Sequence, residues 1–131
     1  MVDELGLKTP KDQLILWSGL GRGNEGIKLS QQYAAKHGGV TLEMTPGGSW
    51  LHQMDLFAGN SPFTRDQATN IWRDVSRSYT QQASGQARSL LGQVRPNSIY
   101  QSQELQELRM NPRILGFEEL YLKPKFETIL R

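Results

Sequence analysis

The sequence predicts an α/β or α+β domain: a helical N-terminal part, a small C-terminal sheet and a site in the cleft between them. Helical signals cluster in the first two-thirds of the chain and extended signals in the last third. The chain has 131 residues, 37% hydrophobic and 21% charged, which suits one globular core and not two.

Leu14-Ile15-Leu16-Trp17 is a short apolar run that ends in the glycine-rich Ser18-Gly19-Leu20-Gly21-Arg22-Gly23-Asn24. Glu25 to Lys36 reads as a helix, stopped by His37-Gly38-Gly39, where glycine supplies a left-handed cap. Val40 to Met44 is a short extended or turn segment, Pro46-Gly47-Gly48 punctuates the chain, and Ser49 to Phe57 is expected to be a short helix. The clearest helix begins at Thr64. Thr64 and Gln67 form a capping box, and Ala68, Ile71, Trp72, Val75 and Tyr79 make one apolar stripe at helical spacing. Gly85 is expected to stop it. Arg88 to Val94 is expected to be a strand closed by Arg95-Pro96-Asn97, and Ser98-Ile99-Tyr100 to be extended. Ser102 is expected to cap a short helix from Gln103 to Met110, ended by Asn111-Pro112, and Ile114 to Leu122 mixes strand and helix signals. Residues 1–12 read as a flexible lead-in or linker, and residues 13–131 as a single catalytic domain.

Composition narrows the function classes. Fifteen basic and 13 acidic residues leave a net charge of +2 with no single-sign block, so nucleic acid is not the expected partner. There is no cysteine, which excludes disulfides and thiolate metal sites. No stretch approaches the length of a membrane span, and no stable membrane association is expected. His37 and His52 lack partners at metal-ligand spacing, so no metal site is expected.

The candidate chemistry is sparse. Trp72 and Ser76 share a helix face, four residues apart. Glu43 lies at the edge of a turn, and Glu104 falls in the first turn of its expected helix, where the dipole favours an ionised carboxylate. From spacing alone, Trp17 and Trp72 fit a core as well as a ligand pocket. From the same spacing Glu104 reads first as an ordinary helix-start acid and only second as a catalytic one.

Taken in order, four short motifs resemble the ADP-ribosyl cyclase and NAD glycohydrolase family. They are Leu16-Trp17-Ser18, Thr41-Leu42-Glu43, Ile71-Trp72-Arg73-Asp74-Val75-Ser76-Arg77 and Ser102-Gln103-Glu104-Leu105-Gln106-Glu107-Leu108. The resemblance implies a small, mostly parallel sheet and cleavage of the nicotinamide–ribose bond of NAD⁺. It implies Glu104 as the carboxylate that stabilises an oxocarbenium, and Glu43 as the acceptor for the nicotinamide carboxamide. Trp17 and Trp72 would be the aromatic walls, and Ser76 a donor to the diphosphate. Departures from the family pattern cluster at the phosphate contacts. Gly19 stands where an arginine is usual, with Arg22 as its nearest substitute. Met44 replaces an acid, Ser98 is one position off, and Tyr100 stands for a phenylalanine. NAD⁺ is then substrate, and no cofactor is expected.

The size, the missing cysteines and the lead-in also resemble a bacterial polymorphic toxin domain of the contact-dependent growth-inhibition type. Such a domain is carried by a larger secreted or cell-surface protein, acts in the target cytoplasm and is blocked by a cognate immunity protein. Two alternatives stay open. One is an RNA-cleaving toxin, suggested by a pI near 9.0 and by Arg73, Arg77, Arg88 and Arg95. The other is a non-catalytic binding module with the tryptophans as core.

Overall fold

A computed structural model describes residues 6–20, 25–93 and 98–121. The elements run β1 (Leu14–Ser18), α1 (Glu25–His37), β2 (Val40–Thr41), α2 (Pro46–Gln53), α3 (Arg65–Gln81), β3 (Gly85–Leu91), α4 (Leu105–Met110) and β4 (Ile114–Tyr121). A 3₁₀ turn, Leu42–Met44, precedes α2, and a π turn, Tyr100–Glu104, runs directly into α4. The four strands form one sheet in the order β2-β1-β3-β4, and every pairing is parallel.

Parallel strands need crossovers, so helices cover both faces of such a sheet. Leu14, Ile15 and Leu16 are all buried, which is why β1 reads as an unbroken apolar run. Leu14 and Leu16 pack with Ala68, Val75 and Tyr79 of α3 and with Leu105 and Leu108 of α4. Ile15 joins Leu90 of β3 against Ala34, Leu29 and Tyr33 of α1. The two directions of one strand therefore feed two cores.

The fold class agrees with the sequence reading, but the sheet is not confined to the C-terminal part. Its central strand β1 and edge strand β2 come from the first third. A four-residue apolar run has no periodicity to mark it as strand or helix.

Several boundaries differ for local reasons. α2 starts at Pro46, not Ser49, because Thr45 caps it: its hydroxyl accepts from the Gly48 amide at 2.9 Å. Proline is favourable at that first helical position. Gly85 does not stop α3. It opens β3 with φ +80, where an added Cβ would lie 2.0 Å from Asp12 Oδ1. β3 begins three residues earlier than expected, and Val94 lies outside the described residues.

Ser98-Ile99-Tyr100 is not extended. Ile99 is helical (φ −59, ψ −36), and the Ser98 hydroxyl accepts from the Gln101 amide. Ser102 is not the cap, since its hydroxyl donates back to the Ser98 carbonyl. The segment read as a flexible lead-in also needs correction over residues 6–12. Leu7 and Thr9 are buried, and Asp12 Oδ1 accepts from the Gln86 amide at 2.7 Å.

Two side chains tie the layers together. The fully buried Tyr79 hydroxyl lies 2.8 Å from the Ile15 carbonyl and 2.6 Å from the Val40 carbonyl, so α3 holds β1 and β2 through one group. The Asn111 amide reaches the carbonyls of Thr80, Gln81 and Ala83 and closes the end of α3. Tyr79→Phe leaves buried carbonyls without their donor. Chemical denaturation is expected to show a loss of about 1–3 kcal/mol with little change in the far-UV spectrum.

Candidate active site

A cleft of about 410 Å³ gathers most of the candidate residues. It opens at the carboxyl end of β1, which supplies Trp17 and Ser18. Leu42 and Glu43 follow directly after β2. β1 sits between β2 and β3, so the chain leaves it toward one neighbour and returns on its other side. Such switch points leave a crevice at strand ends. α3 contributes Trp72 and Ser76, and the π turn contributes Tyr100 and Glu104.

Six residues singled out from the sequence thus meet in one cleft: Trp17, Glu43, Trp72, Ser76, Tyr100 and Glu104. Ser98 is not in the lining; its hydroxyl and carbonyl start the helical segment that follows. Arg22 lies outside the described residues. Gly19, where the family pattern has an arginine, lines the cleft. It has φ +70, and a Cβ there would lie 2.3 Å from the Gln93 carbonyl oxygen. No side chain fits at this position without moving the backbone.

Trp17 Nε1 donates to Glu43 Oε1 at 3.1 Å, so the half-buried Glu43 carboxylate and the indole orient one another. The Trp17 ring also lies against the first turn of α1. A Cβ at Gly26 would meet the ring at 2.4 Å, so the glycine sets how closely the indole can approach that helix. The Tyr100 hydroxyl donates to Glu119 Oε2 on β4 at 2.6 Å. Burial and the adjacent Glu119 raise its pKa well above the ordinary tyrosine range.

Glu104 is 7% exposed. Burial pushes its pKa up to about 8, the Glu43 carboxylate acts in the same direction, and a hydrogen bond from the Ser76 hydroxyl partly opposes both. This corrects the expectation that a helix dipole keeps Glu104 ionised. Glu104 closes the π turn with helical backbone (φ −66, ψ −42), so no free helix N-terminus faces it. The expected diphosphate role of Ser76 meets a competitor, because its one hydroxyl proton is engaged by Glu104.

Sequence reasoning missed Asp55 and Phe57, which line the cleft from the loop after α2, and gave His52 no role there. That loop has no apolar period, and Asp55 takes a left-handed φ of +48. It also missed Glu119. Among the described residues, no cluster of three His, Asp or Glu side chains forms a metal-binding arrangement. Among the described residues, no helix is long and apolar enough to cross a membrane.

No protein-family model matches this sequence, and no curated protein matches it significantly. Solved structures do match in three dimensions. Aplysia cyclase, in complex with substrate NGD and product cGDPR, superposes with a TM-score of 0.68 at 22% identity over 88% of this chain and 51% of its own. An ADP ribosyl cyclase complexed with N1-cIDPR gives a TM-score of 0.66 at 20% identity over 87% of this chain and 51% of its own. The fold is that of the ADP-ribosyl cyclases. Porcine CD38, with a covalent intermediate, ribo-F-ribose-5'-phosphate, gives a TM-score of 0.55 at 16% identity over 88% of this chain and 71% of its own. The chain spans about half the length of the two cyclases.

Glu104 binds its proton more tightly folded than unfolded, so its contribution to stability is present below about pH 4.5 and is lost as the pH rises toward 8. Glu104→Gln removes this dependence. The melting temperature of the variant is expected to rise above that of the wild type progressively between pH 5 and pH 8. A constant gap across that range would contradict the burial of an unpaired carboxylate.

Proposed function

We propose that this protein is an NAD⁺ glycohydrolase, with cyclisation to cyclic ADP-ribose as a minor competing branch. The observation that carries the reading is a buried carboxylate, Glu104, in a cleft walled by Trp17 and Trp72 and beside the indole-bound Glu43. The likeness of the fold to cyclases solved with dinucleotide ligands supports it.

Nicotinamide leaves NAD⁺ as a neutral molecule, because the breaking C1′–N bond returns its electron pair to the pyridinium nitrogen. No general acid is required, and one carboxylate suffices where ordinary glycosides need two. The transition state instead develops positive charge on the ribose, which an ionised Glu104 opposes at short range. Trp17 and Trp72 offer aromatic faces to the pyridinium, an attraction of about 0.5–2 kcal/mol each. Glu43 has a free carboxylate oxygen to accept from the carboxamide. Water then adds to C1′ and loses a proton, giving ADP-ribose. No cofactor enters this scheme.

The raised pKa of Glu104 fits this chemistry. Before substrate binds, burial favours the protonated carboxyl. A bound pyridinium is an opposite charge and favours the ionised form, so substrate binding expels the proton.

Nicotinamide release from NAD⁺ tests the reading. Wild type is expected to release it, with ADP-ribose the main product by chromatography, and Glu104→Gln to lose activity by about a thousandfold or more. For the wild type, kcat/KM is expected to rise with pH to a plateau with an apparent pKa near 8, while kcat reaches its plateau at lower pH. No release from folded wild type would overturn the proposal. We also propose that the domain serves as an antibacterial toxin delivered by a larger protein and restrained by an immunity protein. Expression in a bacterial cytosol is expected to deplete NAD⁺ and stop growth, whereas expression of Glu104→Gln is expected to leave both NAD⁺ and growth intact. Normal growth with soluble wild type would remove the toxin reading.

A further inference from the structure

A second hollow, about 260 Å³, adjoins the cleft and is lined by Leu56, Phe57, Ala58, Phe63 and Arg65. Leu56 and Phe57 line both spaces, so the hollow borders the cleft at the loop between α2 and α3. The cleft alone lies near the lower end of the 300–1,000 Å³ range of small-molecule sites, so a dinucleotide extends beyond it.

The hollow has an unusual lining for a surface. Phe57 is 52% exposed and Phe63 38%, although large aromatic rings ordinarily withdraw from water. Arg65 is exposed and, among the described residues, forms no ion pair; Asp66 follows it in the first turn of α3. These groups stand on a fixed frame. The Phe63 amide donates to the Ser61 hydroxyl. Thr64 and Gln67 close a reciprocal capping box, in which the Thr64 amide donates to Gln67 Oε1 and the Gln67 amide donates to Thr64 Oγ1. Two exposed phenyl rings and an exposed guanidinium lining one hollow match a purine nucleoside that carries a phosphate. Purines stack on aromatic side chains, and the guanidinium fork binds phosphate oxygens.

We propose that this hollow is the adenosine subsite of the enzyme, and that Arg65 binds a 2′-phosphate there, so that NADP⁺ is the preferred dinucleotide. The ring of the purine lies on Phe57 and Phe63, while the nicotinamide ribose stays beside Glu104. The proposal rests on the NAD⁺-cleaving reading of the cleft.

Three substrates separate the parts: NADP⁺, NAD⁺ and nicotinamide mononucleotide, which lacks adenosine. Wild type is expected to show a higher kcat/KM for NADP⁺ than for NAD⁺. Arg65→Ala is expected to lower kcat/KM for NADP⁺ by about tenfold, the effect of one charge-assisted contact, with NAD⁺ little changed. Phe63→Ala is expected to raise KM for both dinucleotides and leave nicotinamide mononucleotide unchanged. The subsite is overturned if Phe63→Ala affects all three substrates alike, or if Arg65→Ala leaves the NADP⁺ to NAD⁺ ratio unchanged. The binding of 2′-AMP, followed by amide NMR shifts, is read independently of turnover. Shifts confined to residues 56–65, and lost in Arg65→Glu, support the subsite even if no substrate is cleaved. No such shifts would overturn it even in an active enzyme.

Discussion

The parallel pairing of β1 with β2 on one side and β3 on the other is the constraint on which this structure depends. It buries Leu14, Ile15 and Leu16 on both faces and obliges each connection to cross over the sheet. It also leaves an opening at the carboxyl end of β1, because the chain moves off in opposite senses there. Trp17 occupies that end, and Glu43 arrives beside it because Thr41 pairs with Ile15. Tyr79 locks the arrangement through its contacts with the Ile15 and Val40 carbonyls.

On this frame the cleft concentrates acid and aromatic groups under partial exclusion of water. Glu104 and Glu43 lie close enough for one to raise the pKa of the other, and burial adds to the effect. A positive charge placed beside them would favour the ionised form of Glu104. The π turn matters here because it brings Tyr100 and Glu104 into the same wall while β4 fixes Tyr100 through Glu119. π turns of this kind frequently occur at functional sites.

Much of the site was legible in the sequence, but as pieces. Trp17, Glu43, Trp72, Ser76, Tyr100 and Glu104 could be singled out by their order along the chain, and they do converge. The capping box at Thr64 and the stripe from Ala68 to Tyr79 described α3 correctly, since a long amphipathic helix advertises itself locally. Ser98 with Gln101 carried the signature of an earlier helix start, but the extended reading of Ser98-Ile99-Tyr100 obscured it. Asp55 and Phe57 were hidden because the expected helix ran on to Phe57, whereas α2 ends at Gln53 and Asp55 turns left-handed; Glu119 lies in a segment with mixed strand and helix signals.

The sequence alone determined the long helix that starts after Thr64, the absence of disulfides, and six of the side chains that line the cleft. Only the tertiary structure decided that β1 is central, that residues 6–12 belong to the core, and that Glu104 holds its proton near neutral pH. The reason is physical. Caps and apolar stripes are interactions between residues three or four apart, whereas strand partners, burial and the electrostatic effect of Glu43 on Glu104 join residues far apart in the chain.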